Sequence, residues 1–244
     1  MTVLVTRPAG DSEETIARLA ARGIEAIAAP VIAIRALTDA VLPRRCRALA
    51  VTSRNAIRAI AGRPELQDLL DVPVYAVGDR TAETARQAGF TDVRSAAGDV
   101  DDLTALLRRD IRPGDGLLVH LSGREVAGDL AGALESAGYA AERRIVYETV
   151  AADALAAETV DALRRNAVAA VLFYSPRSAE TFGALARRAG IDGCLKETAA
   201  IAISPKAAAK VRELGFGHIF TADRPDESAL FEALERFVKG GSDM

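Results

Sequence analysis

Ala76-Val77-Gly78-Asp79-Arg80-Thr81-Ala82, followed by Gly89-Phe90 and Val93, returns later in the chain as Ala202-Ile203-Ser204-Pro205-Lys206-Ala207-Ala208, followed by Gly215-Phe216 and Ile219. The register holds without a gap from the first pair to the last. A second echo joins Val3-Leu4-Val5, Leu19 and Gly23 to Leu118-Val119-His120, Leu134 and Gly138. The blocks therefore alternate, first, second, first, second. That order predicts two similar domains whose clefts can face each other and hold a large ligand between them.

Outward from the repeats, short apolar runs alternate with segments of helical period. Strands are predicted at 3–6, 48–52, 74–77, 93–95, 117–121, 144–149, 168–174, 199–203 and 218–222. Helices are predicted at 13–21, 55–61, 81–88, 103–109, 126–137, 156–165, 178–189, 206–214 and 227–238. The stretch 24–37 is too long and apolar for a loop, and Pro30 in its middle makes it a strand that leaves one domain and bends toward the other. Strict alternation of this kind gives parallel sheets covered on both faces. The expected fold is α/β: two similar domains, each a parallel sheet of about five strands flanked by helices, joined by a two-strand connector. The permutation splits the first domain into 1–36 plus 150–244 and inserts the second, 37–149, between the pieces. The connector lies near 32–37 and 144–150, and a double connector permits hinge motion while limiting separation.

Composition narrows the function. Half the residues are hydrophobic, 27% are charged and the net charge is −3, which describes a folded protein without a general attraction to nucleic acid. Cys46 and Cys194 have neither metal spacing nor a disulfide framework, and are expected to be free thiols in a reducing compartment. The amino terminus enters a strand directly, and no apolar run approaches the roughly 20 residues of a membrane span. The expected location is the cytoplasm, with no membrane partner. The final residues, 239–244, are expected to fray.

In open parallel sheets, ligands bind beyond the carboxyl ends of the strands. The first domain offers three such corners, Thr6-Arg7-Pro8, Ser175-Pro176-Arg177-Ser178 and Ser204-Pro205-Lys206. The second offers Thr52-Ser53-Arg54-Asn55, Gly78-Asp79-Arg80-Thr81 and Ser122-Gly123-Arg124. A lone Ser, Thr or Asn before a helix is ordinarily a cap. Six corners, each with an Arg or Lys close by, suit carboxylates or phosphates. Asp79 is the odd charge of the set and can pair with Arg80 instead. Nucleotide fingerprints are missing: there is no G-x-G-x-x-G after the first strand and no G-x-x-x-x-G-K-[ST]. The nearest glycine cluster, Gly114-Asp115-Gly116, reads as a turn, and Ser122-Gly123 lacks the first glycine of a nucleophile elbow. His120 and His218 fall in or beside strands of opposite domains, which excludes a shared metal site and a triad. Tyr147 stands out because it lies on the returning connector, where its hydroxyl can point into the cleft or can pack on a neighbouring strand. Tyr174, at a strand end, is the lesser candidate.

On these residues the chain resembles the uroporphyrinogen-III synthase family over essentially its full length. The resemblance runs through Val5-Thr6-Arg7-Pro8, Val51-Thr52-Ser53-Arg54-Asn55-Ala56, Ala76-Val77-Gly78-Asp79-Arg80-Thr81-Ala82, Tyr147-Glu148-Thr149 and Phe173-Tyr174-Ser175-Pro176. It implies an enzyme of tetrapyrrole biosynthesis needing no cofactor and no metal. The substrate it implies is hydroxymethylbilane, a linear tetrapyrrole with eight carboxylates. Water leaves, the last pyrrole ring inverts through a spiro intermediate, and the macrocycle closes. The resemblance makes Tyr147 the acid and Thr52, Ser53, Thr81 and Ser175 the substrate-holding hydroxyls. Arg7, Arg54, Arg177 and Lys196 are the further contacts it suggests, in a protein expected to be a monomer. One corner departs from the family, which has Gly-Pro-Thr-Thr-Ala or close to it where this chain has Ser204-Pro205-Lys206-Ala207-Ala208. The alternatives to a synthase are a non-catalytic two-domain binding protein for a polycarboxylate and a nucleotide-dependent enzyme, the latter disfavoured by the missing phosphate loops.

Overall fold

The computed structural model of the chain describes residues 1–126 and 128–240. The elements run β1 (Thr2–Val5), α1 (Ala9–Ala20), β2 (Glu25–Ala28), β3 (Ile32–Ala36), β4 (Ala48–Val51), α2 (Arg54–Ile60), β5 (Val74–Ala76), α3 (Asp79–Gln87), β6 (Val93–Ser95), α4 (Val100–Asp110), β7 (Leu118–Gly123), α5 (Leu130–Ser136) and β8 (Ala141–Ala151). They continue with α6 (Ala157–Arg164), β9 (Val168–Phe173), α7 (Pro176–Arg188), β10 (Ala199–Ala202), α8 (Pro205–Arg212), β11 (His218–Thr221) and α9 (Glu227–Gly240). The chain divides into two compact units, one of Met1–Ala33 with the chain from Val150 on, the other of Ile34–Thr149.

The first unit holds a sheet of order β11-β10-β9-β1-β2 with every neighbouring pair parallel. The sheet carried by the second runs β3-β8-β7-β4-β5-β6, parallel from β8 to β6. At its edge, Leu37 N–H donates to Val146 O and Ala152 N–H to Val31 O, so β3 lies antiparallel to β8. This strand is the sixth, beyond the five expected. Without it the two orders match place for place: β5 sits as β10 does, and β7 as β1 does. These are the strands that carry the two sequence echoes.

Alternate residues of each strand point to opposite faces and build separate cores. In the first unit, Leu4, Val171, Phe173 and Ala200 face Phe182 and Phe216, while Val3, Val5, Leu172 and Ile201 face Leu19, Leu230 and Phe231. Phe173 meets Phe182 edge-on at 5.5 Å between centroids. In the second unit, Leu49, Val51, Val119 and Leu121 face Ile57 and Ile60, while Ala48, Ala50 and Leu118 face Leu103, Leu107 and Leu134. Each fully buried Leu, Ile or Phe contributes about 1.5–3 kcal/mol relative to exposure. Among the described residues no helix is long and apolar enough to cross a membrane.

Several expected boundaries are corrected. The stretch 24–37 is two strands in two sheets. Ala29 N–H makes the last bond of the β1–β2 ladder, to Val5 O at 2.9 Å, and Pro30, which has no N–H, cannot extend it. The helix expected at 126–137 starts at Leu130, where Asp129 accepts from Gly132 N–H at 3.0 Å, and Ala127 lies outside the described residues. Helix α1 begins earlier than expected, because Asp11 and Ser12 N–H both reach Pro8 O. Two 3₁₀ turns, Pro64–Leu69 and Asp192–Glu197, fill stretches for which the sequence predicts no element. Of the tail expected to fray, residues 239 and 240 end α9, and 241–244 lie outside the described residues.

Candidate active site

At the carboxyl edge of the second unit's sheet, Thr52 and Ser53 follow β4, His120 lies within β7, and Tyr147 lies on β8. All four line one cavity of about 230 Å³, whose apolar wall includes Val100 and Leu130.

Tyr147 arrives there through a register shift. The β7–β8 ladder pairs Leu121 with Arg144 and Ser122 with Ile145, then Gly123 with Tyr147, so Val146 is an extra residue. Such a bulge re-aims the side chain that follows it. The ring then closes over Gly123, where an added Cβ would stand 2.6 Å from Tyr147 Cζ and 2.9 Å from its hydroxyl. No other residue type fits at 123 with the ring in place. Tyr147 is 9% exposed and its hydroxyl has no hydrogen-bond partner among the described residues. The backbone around it is pinned. Arg143 donates from Nε to Ser122 Oγ (2.8 Å) and from Nη2 to Gly123 O (2.6 Å) and Arg124 O (2.7 Å). Glu148 accepts from Arg35 Nε at 2.8 Å and from Arg124 Nε at 2.9 Å. These two guanidinium groups, Arg35 first, hold its carboxyl below the usual range.

His120 is 3% exposed, with Nε2 3.1 Å from Thr52 Oγ1 and Nδ1 buried without a partner among the described residues. Burial pushes the imidazole down to about 4. The charge of Arg143 pushes the same way and that of Asp129 opposes it, so the ring is neutral at pH 7. Sequence alone sets aside a shared metal site and a triad for the histidines and leaves His120 without a role. The available signal is a lone imidazole in the otherwise apolar run Leu118–Leu121, just before a strand end. Beside Thr52, Ser53 accepts from Asn55 N–H at 3.2 Å as the cap of α2, and Arg54, half-buried, is the first residue of that helix.

Thr81 stands apart from this cavity. It is buried in the first turn of α3 and borders a hollow of about 310 Å³ formed by residues 78–81 with Ala97 and Gly98. Ala97 adopts a left-handed φ of 52°, supported by its N–H to Ser95 Oγ at 3.1 Å.

In the first unit the corners are more committed. Ser175 and Ser178 form a reciprocal capping box, each oxygen accepting from the other's backbone N–H at 3.0 and 3.1 Å. Arg177 is half-buried in the same turn. Ser204 accepts from Ala207 N–H at 3.3 Å, and Lys206 is exposed. Arg7, a contact that the resemblance suggests, is engaged by neighbouring side chains. Its guanidinium bonds Asp11 at 3.1 Å and Glu227 at 3.0 Å and lies over the Tyr174 ring at 4.7 Å, with both carboxylate partners inside its own unit. Glu227 also accepts from Thr15 (2.6 Å), Arg18 and the Tyr174 hydroxyl (3.3 Å). Burial pushes that hydroxyl up to about 12. Lys196, another contact that the resemblance suggests, is not at one of the corners. It lies in the 3₁₀ turn that precedes β10, at the amino edge of the sheet, opposite the carboxyl ends where the corners cluster. No three His, Cys, Asp or Glu side chains gather as a metal site among the described residues.

A family model described as Uroporphyrinogen-III synthase HemD matches residues 13–232. Among solved structures, the uroporphyrinogen-III synthetase of Helicobacter pylori 26695 is similar at 19% identity and a TM-score of 0.66, over 96% of this chain and 98% of that one. A mutant uroporphyrinogen III synthase of the extremely thermophilic bacterium Thermus thermophilus aligns at 18% identity and a TM-score of 0.48, over 98% and 99%. The Helicobacter match establishes the likeness of fold. No curated protein matched by sequence.

Proposed function

The chain belongs to the uroporphyrinogen-III synthase family, and on that premise we propose that it is a hydro-lyase closing hydroxymethylbilane to the type III macrocycle with inversion of the terminal ring. The observation that carries the residue assignment is the single cavity that Tyr147 lines together with the Thr52–Ser53 corner. In this reading Tyr147 donates its proton to the hydroxymethyl oxygen, the C–O bond breaks, and water leaves as the pyrrole nitrogen supplies the electron pair. Closure through the spiro intermediate then releases a ring proton, which restores the tyrosine. Proton donation of this kind needs a hydroxyl within hydrogen-bond reach of the leaving oxygen, and a Tyr147 hydroxyl without a partner among the described residues supports that role. Thr52 and the backbone N–H groups of its corner take a substrate carboxylate, with Arg54 supplying charge. Thr81, Ser175 and Arg177 are further carboxylate contacts in the same reading, which also describes a cytoplasmic monomer.

The test is the isomer ratio formed from freshly generated hydroxymethylbilane with and without the protein. A protein-dependent shift to type III is expected. Type I alone at every protein concentration overturns the reading and leaves a binding protein for a polycarboxylate, which the altered Ser204–Ala208 corner would then favour.

A further inference from the structure

His120 is the one strongly buried titratable side chain in the cavity that the proposed reaction does not use. Its ring has two nitrogens in unequal surroundings. Nε2 faces Thr52 Oγ1 at 3.1 Å, and Nδ1 is enclosed with no partner among the described residues. A neutral imidazole carries its hydrogen on one of them. With the hydrogen on Nδ1, a buried N–H would go unpaired and Thr52 would have to donate its own hydrogen to Nε2. With the hydrogen on Nε2, only a lone pair is left enclosed at Nδ1, and the Thr52 oxygen receives a bond instead of giving one. Orphaned buried N–H groups are rarer than under-used acceptors, so the surroundings select the Nε2–H form.

We propose that His120 is a positioning residue: by donating from Nε2 to Thr52 Oγ1 it leaves the Thr52 O–H as a committed hydrogen-bond donor to an anionic oxygen of the ligand in this cavity. The inference deepens the function proposed above and rests on it for the identity of the ligand. Thr52 lines the cavity and is half-buried, so its hydrogen has open space on the ligand side. A hydroxyl that already accepts from a neutral N–H prefers a carboxylate over a neutral group, because the bond to a charged acceptor is the stronger one. The pair therefore acts on which substrate end the corner accepts, with no change in the proton count at the reacting carbon.

Two measurements test it. The chain has two histidines, so nitrogen-15 NMR of the wild-type protein, assigned with His218→Gln, reads the His120 tautomer directly at pH 7. The Nε2–H form is expected, and the Nδ1–H form or an imidazolium overturns the proposal whatever the protein's activity. The second measurement is kinetic. In His120→Gln the side-chain amide nitrogen reaches the place of Nε2 and can still donate to Thr52. In His120→Asn the amide nitrogen matches Nδ1 and cannot. His120→Asn should raise KM for hydroxymethylbilane about tenfold, as loss of one hydrogen bond to a charged group does, with kcat within about twofold. His120→Gln should restore most of that affinity, and His120→Asn should add little in a Thr52→Val background. Equal KM for the Gln and Asn variants, or additive effects with Thr52→Val, overturns the proposal. Failure of the wild-type protein to form type III would instead overturn the functional reading and leave the tautomer result standing.

Discussion

Acidification tests the burial of His120 through stability rather than activity. In an unfolded chain a histidine titrates near 6.5. In the folded second unit, burial first and Arg143 second push His120 down to about 4, against the smaller opposing pull of Asp129. Because the folded value is the lower one, the unfolded state takes up the proton first as pH falls. The stabilisation is therefore complete above about 6.5 and is lost as pH falls toward 4, below which nothing more is lost. A shift of this size is worth roughly 3 kcal/mol at about 1.4 kcal/mol per unit, and about 2 kcal/mol of it disappears between pH 7 and pH 4.5. Urea unfolding followed by circular dichroism, at both pH values, on the wild type and His120→Gln measures it, because the glutamine does not titrate and the other groups cancel between the two proteins. The wild type should lose about 2 kcal/mol more than the variant over that interval, in the transition that reports the second unit. An identical pH dependence in the two proteins would mean that His120 is hydrated and charged, and would refute the argument from its burial.

Three further outcomes are expected. Tyr147→Phe should lower kcat by about a hundredfold or more, the usual weight of a general acid, with a melting temperature close to wild type, since only a hydroxyl without a partner among the described residues is lost; full turnover would remove Tyr147 from the chemistry. Gly123→Ala should cost roughly 1–3 kcal/mol and most of the activity, because the new Cβ must displace the Tyr147 ring; Gly193→Ala, where a Cβ meets nothing within 4 Å, is the control. Cys46, pushed up to about 11 by burial and then by Glu142, should react with an aromatic disulfide at pH 8 about a hundredfold more slowly than an ordinary thiol, since the thiolate is the reactive form; a rate like that of a free thiol in the native protein would show that the side chain is open to water.

What the sequence made legible is the architecture. The period of the apolar runs marked the strands, and two echoes offset in opposite halves marked a permuted duplication, seen as matching places in the two sheets. The chemistry was legible only where it is local. Thr52 and Ser53 could be picked out because strand ends and caps leave short-range signatures, and Tyr147 because it lies on the returning connector. Their meeting in one cavity depends on the extra residue Val146, which no local pattern announces. Arg7 shows the limit from the other side. It could be named at its corner, while its ion partner Glu227 lies at the far end of the chain. His120 was visible as an unusual residue, while its pairing with Thr52 requires β4 and β7 to be neighbours.

The discontinuity of the first unit bears on how the chain comes off the ribosome. Residues 34–149 contain every strand partner of β4 to β7 in one uninterrupted stretch, so that unit can build its sheet while the rest is still being made. Strands β1 and β2 have no such advantage. Three of the four residues of β1 are fully enclosed in the finished protein, yet β1 must wait for β9, more than 160 residues later, to gain its other neighbour. Until then residues 1–33 are a nascent, apolar, half-paired segment, and α1 lacks the Glu227 carboxylate that anchors Arg7 and Arg18. Lesions in this opening segment should accordingly act on yield during synthesis more than on the finished enzyme, because that is when its apolar strand is open to association with other chains.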